Sequence, residues 1–300
     1  MGMTSNQLAL VEAVAKNNWA IARTAAIACC TEDTTQKNAY FCDYYKKMLE
    51  TAGTMMELPA GLYGLMTLED VSSSFHEDRY FLSERESKVF DSIYRMSKVN
   101  NRLASLGVPY LNATMLYGPS GTGKTMFGRY VAYKMNLPFC YLNFAQIIDS
   151  YLGTTSKNIV KCFDYVKGNA CVFMLDEIDC IALARGGGSG SASGELGRTT
   201  ISLMQELDSL TNEIIIIAAT NRYDRLDNAI KTRFAFAHEV ELPSDEEKRI
   251  IVNKFASSVG YSFSENEIEQ ICFLDTPRAI GKALTRVLAE KIEKEQEMNI

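Results

Sequence analysis

Gly118-Pro119-Ser120-Gly121-Thr122-Gly123-Lys124-Thr125 (GPSGTGKT) decides the fold of this 300-residue chain. It fills every fixed position of the pattern G-x-x-x-x-G-K-[ST]. An apolar run, Ala113–Tyr117, precedes it and an amphipathic run follows, so the loop joins a buried strand to a helix. Glycines let such a backbone curl with its N–H groups turned toward a polyphosphate, and the helix adds the positive end of its dipole. Lys124 supplies a point charge for the outer phosphates, and the Thr125 hydroxyl is a hard oxygen ligand for Mg2+. All eight residues are therefore candidate nucleotide contacts.

Working outward, Cys171-Val172-Phe173-Met174-Leu175-Asp176-Glu177 is an apolar strand ending in two carboxylates. Asp176 suits the Mg2+ shell, and Glu177 suits polarisation of an attacking water. A second β-branched run, Ile214–Thr220, ends at Asn221, whose amide could orient that water against a γ-phosphate. Alone, an asparagine there is more often a cap. Strands are expected near Ala113–Tyr117, Pro138–Leu142, Ala170–Leu175, Ile214–Ala219 and His238–Leu242, with helices starting at Lys124, near Ser156 and near Gly197. That alternation predicts an α/β unit, residues 77–242, built on a parallel sheet with crossover helices.

Residues 243–300 show helical periodicity over 245–259, 264–273 and 277–297. Residues 1–57 read as a hairpin of two helices, one through Leu8, Val11, Val14, Trp19, Ile21 and Ala25, the other through Tyr40, Phe41, Tyr44 and Met48. Trp19, Tyr44 and Tyr45 are candidates for its own small core. Residues 58–76, with Pro59, Gly61 and Gly64, read as a linker. The stretch Gly186–Gly194 (GGGSGSASG) is flexible by composition.

Bulk properties narrow the function. Apolar content of 47% and charged content of 23% are ordinary globular values. A net charge of −6 and a pI near 5.2 argue against a general nucleic-acid footprint. No apolar run is long enough for a membrane span, and no leader peptide pattern is recognisable. The eight cysteines form no Cys-x-x-Cys pair, and with two histidines in the chain a zinc site is not expected. Reduced, buried thiols point to a reducing cytosol and a cytoplasmic protein.

The order of these motifs resembles the AAA+ ATPases, and the AAA branch in particular, from about Glu77 to Glu297. The resemblance implies a P-loop NTPase core with a five-stranded parallel sheet, a helical lid, ATP and Mg2+ as cofactors, and hydrolysis of ATP to ADP and phosphate. It also implies a ring homo-oligomer, usually a hexamer, with ATP at the subunit interfaces. By position, Asn221 resembles the first sensor. Arg233, in Ala229-Ile-Lys-Thr-Arg233-Phe234, resembles the arginine finger that completes a neighbour's site. Arg278, in Thr276-Pro-Arg-Ala, resembles the second sensor on the lid. Two departures stand out: Ile230 replaces the earlier of two arginines that many members carry, and many of the branch lack an arginine where Arg278 stands.

Tyr151-Leu152-Gly153 resembles the aromatic–aliphatic–glycine loop with which unfoldases of this family line the central pore and grip extended polypeptide. Gly186–Gly194 falls where the family has a second pore loop. The expected function is a motor that threads, remodels or disassembles protein substrates. The alternative is a nucleic-acid motor or loader, which predicts basic pore loops; here Asp149 and Lys157 flank the first loop. A nucleotide-dependent scaffold without turnover is disfavoured by the intact Asp176-Glu177 pair and Arg233. The N-terminal helices would recognise substrate or an adaptor, or extend the ring contacts, and any protease would be a separate subunit.

Overall fold

The computed structural model describes residues 2–15, 19–33, 35–51, 58–108, 110–149, 154–167, 169–182, 191–210 and 214–298. The N-terminal segment, expected as two helices, holds three: α1 (Ser5–Ala15), α2 (Trp19–Glu32) and α3 (Ala39–Thr51). In sequence α1 and α2 are separated by Lys16-Asn17-Asn18, whose two asparagines are poor helix formers. They run antiparallel, since Asn6 near the start of α1 donates through Nδ2 to Glu32 Oε1 at the end of α2 (2.6 Å). Arg23 Nε in α2 donates to Leu49 O in α3 (2.6 Å). Tyr44 and Tyr45 do touch edge-to-face, with centroids 5.1 Å apart, but both are exposed rather than enclosed in a core.

The segment read as a linker is packed structure. Leu58, Leu62, Met66 and Leu68 are buried in the main core, and Thr67–Glu69 forms a strand, β1. α4 (Glu84–Ser105) then opens with a capping box in which Ser83 and Glu86 satisfy each other's backbone N–H groups. There follow β2 (Asn112–Tyr117), α5 (Lys124–Met135), β3 (Phe139–Asn143), α6 (Phe144–Asp149) and α7 (Thr155–Lys167). Next come β4 (Val172–Asp176), α8 (Asp179–Ala182), α9 (Ser191–Ser209), β5 (Ile215–Thr220), α10 (Asn228–Lys231) and β6 (Phe236–Glu239). α11 (Asp245–Val259), α12 (Glu265–Cys272) and α13 (Pro277–Met298) close the chain. Ser191–Gly194, expected as flexible loop, are the first turn of α9; positions 186–190 lie outside the described residues.

The sheet order is β1-β3-β4-β5-β2-β6. The five strands expected from sequence run parallel, and β1 adds a sixth, antiparallel to β3. Period-2 alternation sends Met115, Leu142, Phe173 and Ile216 to one face, against α7 and α9. Leu116, Phe139, Met174 and Ile217 face the other way, against α4 and α5. Helix α5 approaches closely because position 128 is glycine: a Cβ there would lie 3.0 Å from the Phe139 ring and 3.1 Å from Met174 Sδ. The lid, α11–α13, has its own small core of Val252, Ile271, Ile280 and Leu284. It is tied to the segment before α4 by Lys254 Nζ donating to Tyr80 O (2.8 Å) and Arg79 Nε to Ser258 Oγ (2.7 Å).

None of the described helices is long and apolar enough to cross a membrane. None of the eight cysteines is in a disulfide, and burial pushes the Cys162 thiol up to about 12, which makes it a packing group rather than a reactive one. Phe173 meets Phe163 edge-to-face at 5.1 Å with both rings fully buried. Phe173→Ala should cost about 3–5 kcal/mol. A denaturant titration showing less than about 1 kcal/mol of loss would mean that this face repacks around the gap.

Candidate functional site

The phosphate-loop segment leaves β2 at the carboxyl edge of the sheet, between β5 and β6. Gly118 has φ 143°, and a Cβ on it would sit 2.2 Å from the Val240 carbonyl oxygen. Only glycine lets the loop pass the end of β6, where Val240 N–H donates to Tyr117 O (2.7 Å). Pro119 and Ser120 are exposed at the tip, while Thr122 is buried and donates to Pro119 O (3.0 Å). Gly123 caps α5 without a side chain. The first-turn N–H groups of that helix therefore point into the loop without intrahelical partners, an anion-binding arrangement.

Lys124 is 7% exposed. Its ammonium makes three 2.8 Å bonds, to Gly118 O, Pro119 O and Asn221 Oδ1, one for each N–H. Burial pulls its pKa below the usual lysine range, with Asp176 opposing and Arg278 adding to the shift. Because Asn221 Oδ1 faces the ammonium, the amide's N–H groups form its outward end.

Beside the lysine, Thr125 Oγ1 donates to Asp176 Oδ2 (2.8 Å), and Glu177 N–H donates to Asp176 Oδ1 (2.9 Å). A hydroxyl and a carboxylate side by side, at the foot of an anion cradle, are the hard oxygen donors that Mg2+ takes together with phosphate oxygens, so the residues fit that ion. Glu177 has φ +55°, a left-handed backbone that costs an ordinary residue about 1–2 kcal/mol. It is held there by Ile178 N–H donating to Ala219 O (3.1 Å) and Cys180 N–H donating to Glu177 O (2.9 Å). Strain of this kind concentrates at working sites. Thr220 Oγ1 donates to Asp179 Oδ1 (2.8 Å) and accepts from Arg222 N–H (2.9 Å), tying the tips of β4 and β5.

The structure thus brings together the loop, Asp176, Glu177 and Asn221. Arg278 joins them from the lid: its backbone N–H donates to Gly121 O (3.3 Å), and Thr276 Cβ lies 3.3 Å from where a Gly121 Cβ would be. Arg233 does not join them. It forms a two-pronged pair with Asp208 of α9 (Nε–Oδ1 2.9 Å, Nη2–Oδ2 2.7 Å) and donates from Nη1 to Ala229 O (2.7 Å). Tyr151, Leu152 and Gly153 lie outside the described residues. Sequence reasoning missed three features here. Asp179 stands only two residues past Glu177, and Tyr141 of β3 donates to Asp176 Oδ2 (3.2 Å). The third is a cavity of about 490 Å³ beside Gly123, walled by Phe81, Thr122, His238, Val240, Ile251 and Leu284. Its volume is that of a small-molecule site, and burial together with Arg85 pushes the His238 imidazole below its usual range, so the ring is neutral at pH 7. No single stretch of sequence announces this wall, since four separate segments build it.

Gly118→Ala forces either the Val240 carbonyl or the loop to move. It should weaken nucleotide binding at least tenfold, measured by fluorescence titration with a labelled ADP; wild-type affinity would show that the loop does not need this close passage.

Residues 114–242 match the family model of the ATPase family associated with various cellular activities (AAA). The chain is 31% identical over 201 residues to the 26S proteasome regulatory subunit 8 homolog B of Arabidopsis thaliana, covering 65% of this chain and 48% of that protein. It is 35% identical over 148 residues to the ATP-dependent zinc metalloprotease FtsH 1 of Sphaerobacter thermophilus, covering 48% of this chain and 23% of that protein. With the FtsH of Chloroflexus aggregans it shares 31% over 201 residues, 66% of this chain and 31% of that protein. The chain spans less than half the length of these relatives. The loop, the strand order and the matched residues agree, and this chain carries a domain of the AAA family of ATPases.

Proposed function

We propose that this chain hydrolyses ATP as a subunit of a ring, most simply a hexamer, and uses the energy to thread, remodel or disassemble protein substrates. The observation that carries the reading is the convergence of Lys124, Thr125, Asp176, Glu177 and Asn221 at one end of the sheet. ATP would lay its phosphates on the free N–H groups of Gly121–Thr125, and Lys124 would exchange a loop carbonyl for phosphate oxygens. Thr125 and Asp176 would hold Mg2+, which when bound would neutralise phosphate charge. Glu177 would accept a proton from the attacking water while the outward N–H groups of Asn221 orient it. Arg278 would follow the lid onto the nucleotide.

Arg233 is the residue proposed to reach a neighbour's γ-phosphate, and it must first leave Asp208. Asp208 is more than half exposed, so solvent weakens that pair, and a phosphate would give Arg233 charge-assisted bonds in return. The relatives, a proteasome regulatory subunit and ATP-dependent metalloproteases, support a protein substrate and work beside a protease, which is proposed here as a separate subunit or reached through an adaptor. Tyr151, Leu152 and Gly153 are proposed as the pore grip, and the cytosol as the location.

Glu177→Gln should bind ATP and hydrolyse it at least a hundredfold more slowly, trapping clients in the ring. Pull-down with this variant in ATP should recover proteins; recovery of DNA or RNA instead would sink the remodelling reading. Mixing Arg233→Ala with Glu177→Gln subunits should give strongly non-additive loss of ATPase activity if the finger acts between subunits, whereas simple additivity would assign Arg233 to its own chain.

A further inference from the structure

Asp176 Oδ2 accepts from two hydroxyls at once, Thr125 Oγ1 at 2.8 Å and Tyr141 OH at 3.2 Å. Only the first belongs to the phosphate loop. Tyr141 comes from β3, two residues before Asn143, and Asn143 stands directly opposite Asp176 in the β3–β4 ladder. Its own orientation is set in sequence: Asn143 Nδ2 donates to Tyr141 OH (3.2 Å), while Asn143 Oδ1 accepts the N–H of Ala145 (2.8 Å). The Ala145 bond forbids the flipped amide, so the amide must present a donor to the phenol. With that lone pair engaged, the phenolic proton has one acceptor left, the carboxylate of Asp176. Stacking of Tyr141 on Phe139, with centroids 6.2 Å apart and 28° between planes, fixes the ring itself.

We infer that Tyr141, oriented by Asn143, is a positioning residue for the metal-side carboxylate Asp176. The inference rests on the nucleotide and Mg2+ reading of the site. Thr125 would ligate the ion through a lone pair and keep its proton for Asp176 Oδ2, so its donor position would be tied to the ion's own coordination. The Tyr141 bond is the side-chain donor that holds Oδ2 independently of the ion, while Glu177 N–H holds Oδ1. Mg2+ tolerates little departure from octahedral geometry, so a carboxylate free to swing would hold it poorly.

The test is a Mg2+ titration of the full-length chain with a fluorescently labelled ADP as probe, alongside the same ADP titration in EDTA. Tyr141→Phe keeps the ring and removes the donor. It should raise the Mg2+ concentration at half-saturation about tenfold, with ADP affinity in EDTA unchanged. Asn143→Ser, which retains a capping oxygen for Ala145, should give a smaller shift in the same direction. The double variant should be no worse than Tyr141→Phe, because the two act in series. An unchanged Mg2+ midpoint in Tyr141→Phe, or an equal loss in EDTA, overturns the inference while the wild-type Mg2+ dependence keeps the site reading intact. A wild-type chain whose ADP binding ignores Mg2+ would overturn both.

Discussion

A buried ammonium holds the working end of this molecule together. Lys124 carries a full charge out of water, which is tolerable only because each of its N–H groups meets an oxygen at 2.8 Å. Two of those oxygens belong to the loop before α5 and the third to the tip of β5, so one cation fixes the loop's curl and ties β2 to the strand beside it. Removing the charge leaves three acceptors facing inward with nothing to accept. The same bonds make the site ready for a polyphosphate: an incoming anion meets a cation already in place and has only to displace carbonyls.

Around that centre, order comes from short ties between elements distant in sequence. Thr125 to Asp176, Thr220 to Asp179 and Arg278 N–H to Gly121 O connect α5, β4, β5, α8 and the lid. Each is a single hydrogen bond worth about 1 kcal/mol, yet together they determine which strand tips stay level. The left-handed Glu177 sits in the middle of this bracing, and the neighbouring bonds over-determine a backbone it would not otherwise adopt.

What sequence could show depended on whether a feature was contiguous. Gly118–Thr125, the acidic strand end and the apolar strands were legible because one covalent stretch carries each whole pattern. β1 was not, since three residues, Thr67–Glu69, shortly after Pro59, Gly61 and Gly64 give no alternation long enough to read, and their strand character comes from pairing with β3. The division of the first predicted helix into α1 and α2 was masked by apolar residues that keep a helical spacing across the break. The Arg233–Asp208 pair joins residues 25 apart across two elements, and Tyr141 reaches Asp176 from another strand. Such contacts follow from strand order and crossover, which local periodicity does not encode.

The packed passage from Leu58 to Glu69 has a mechanical consequence. Force arriving at Leu58 reaches the sheet through buried Leu62 and Met66 and then through the β1–β3 ladder, loaded along the strands in shear. The strand receiving that load is β3, which carries Tyr141 and Asn143 and runs on into α6. A tug transmitted through this passage would therefore be felt first on the strand whose Tyr141 and Asn143 brace Asp176, making residues 58–69 a stiff coupling rather than a tether.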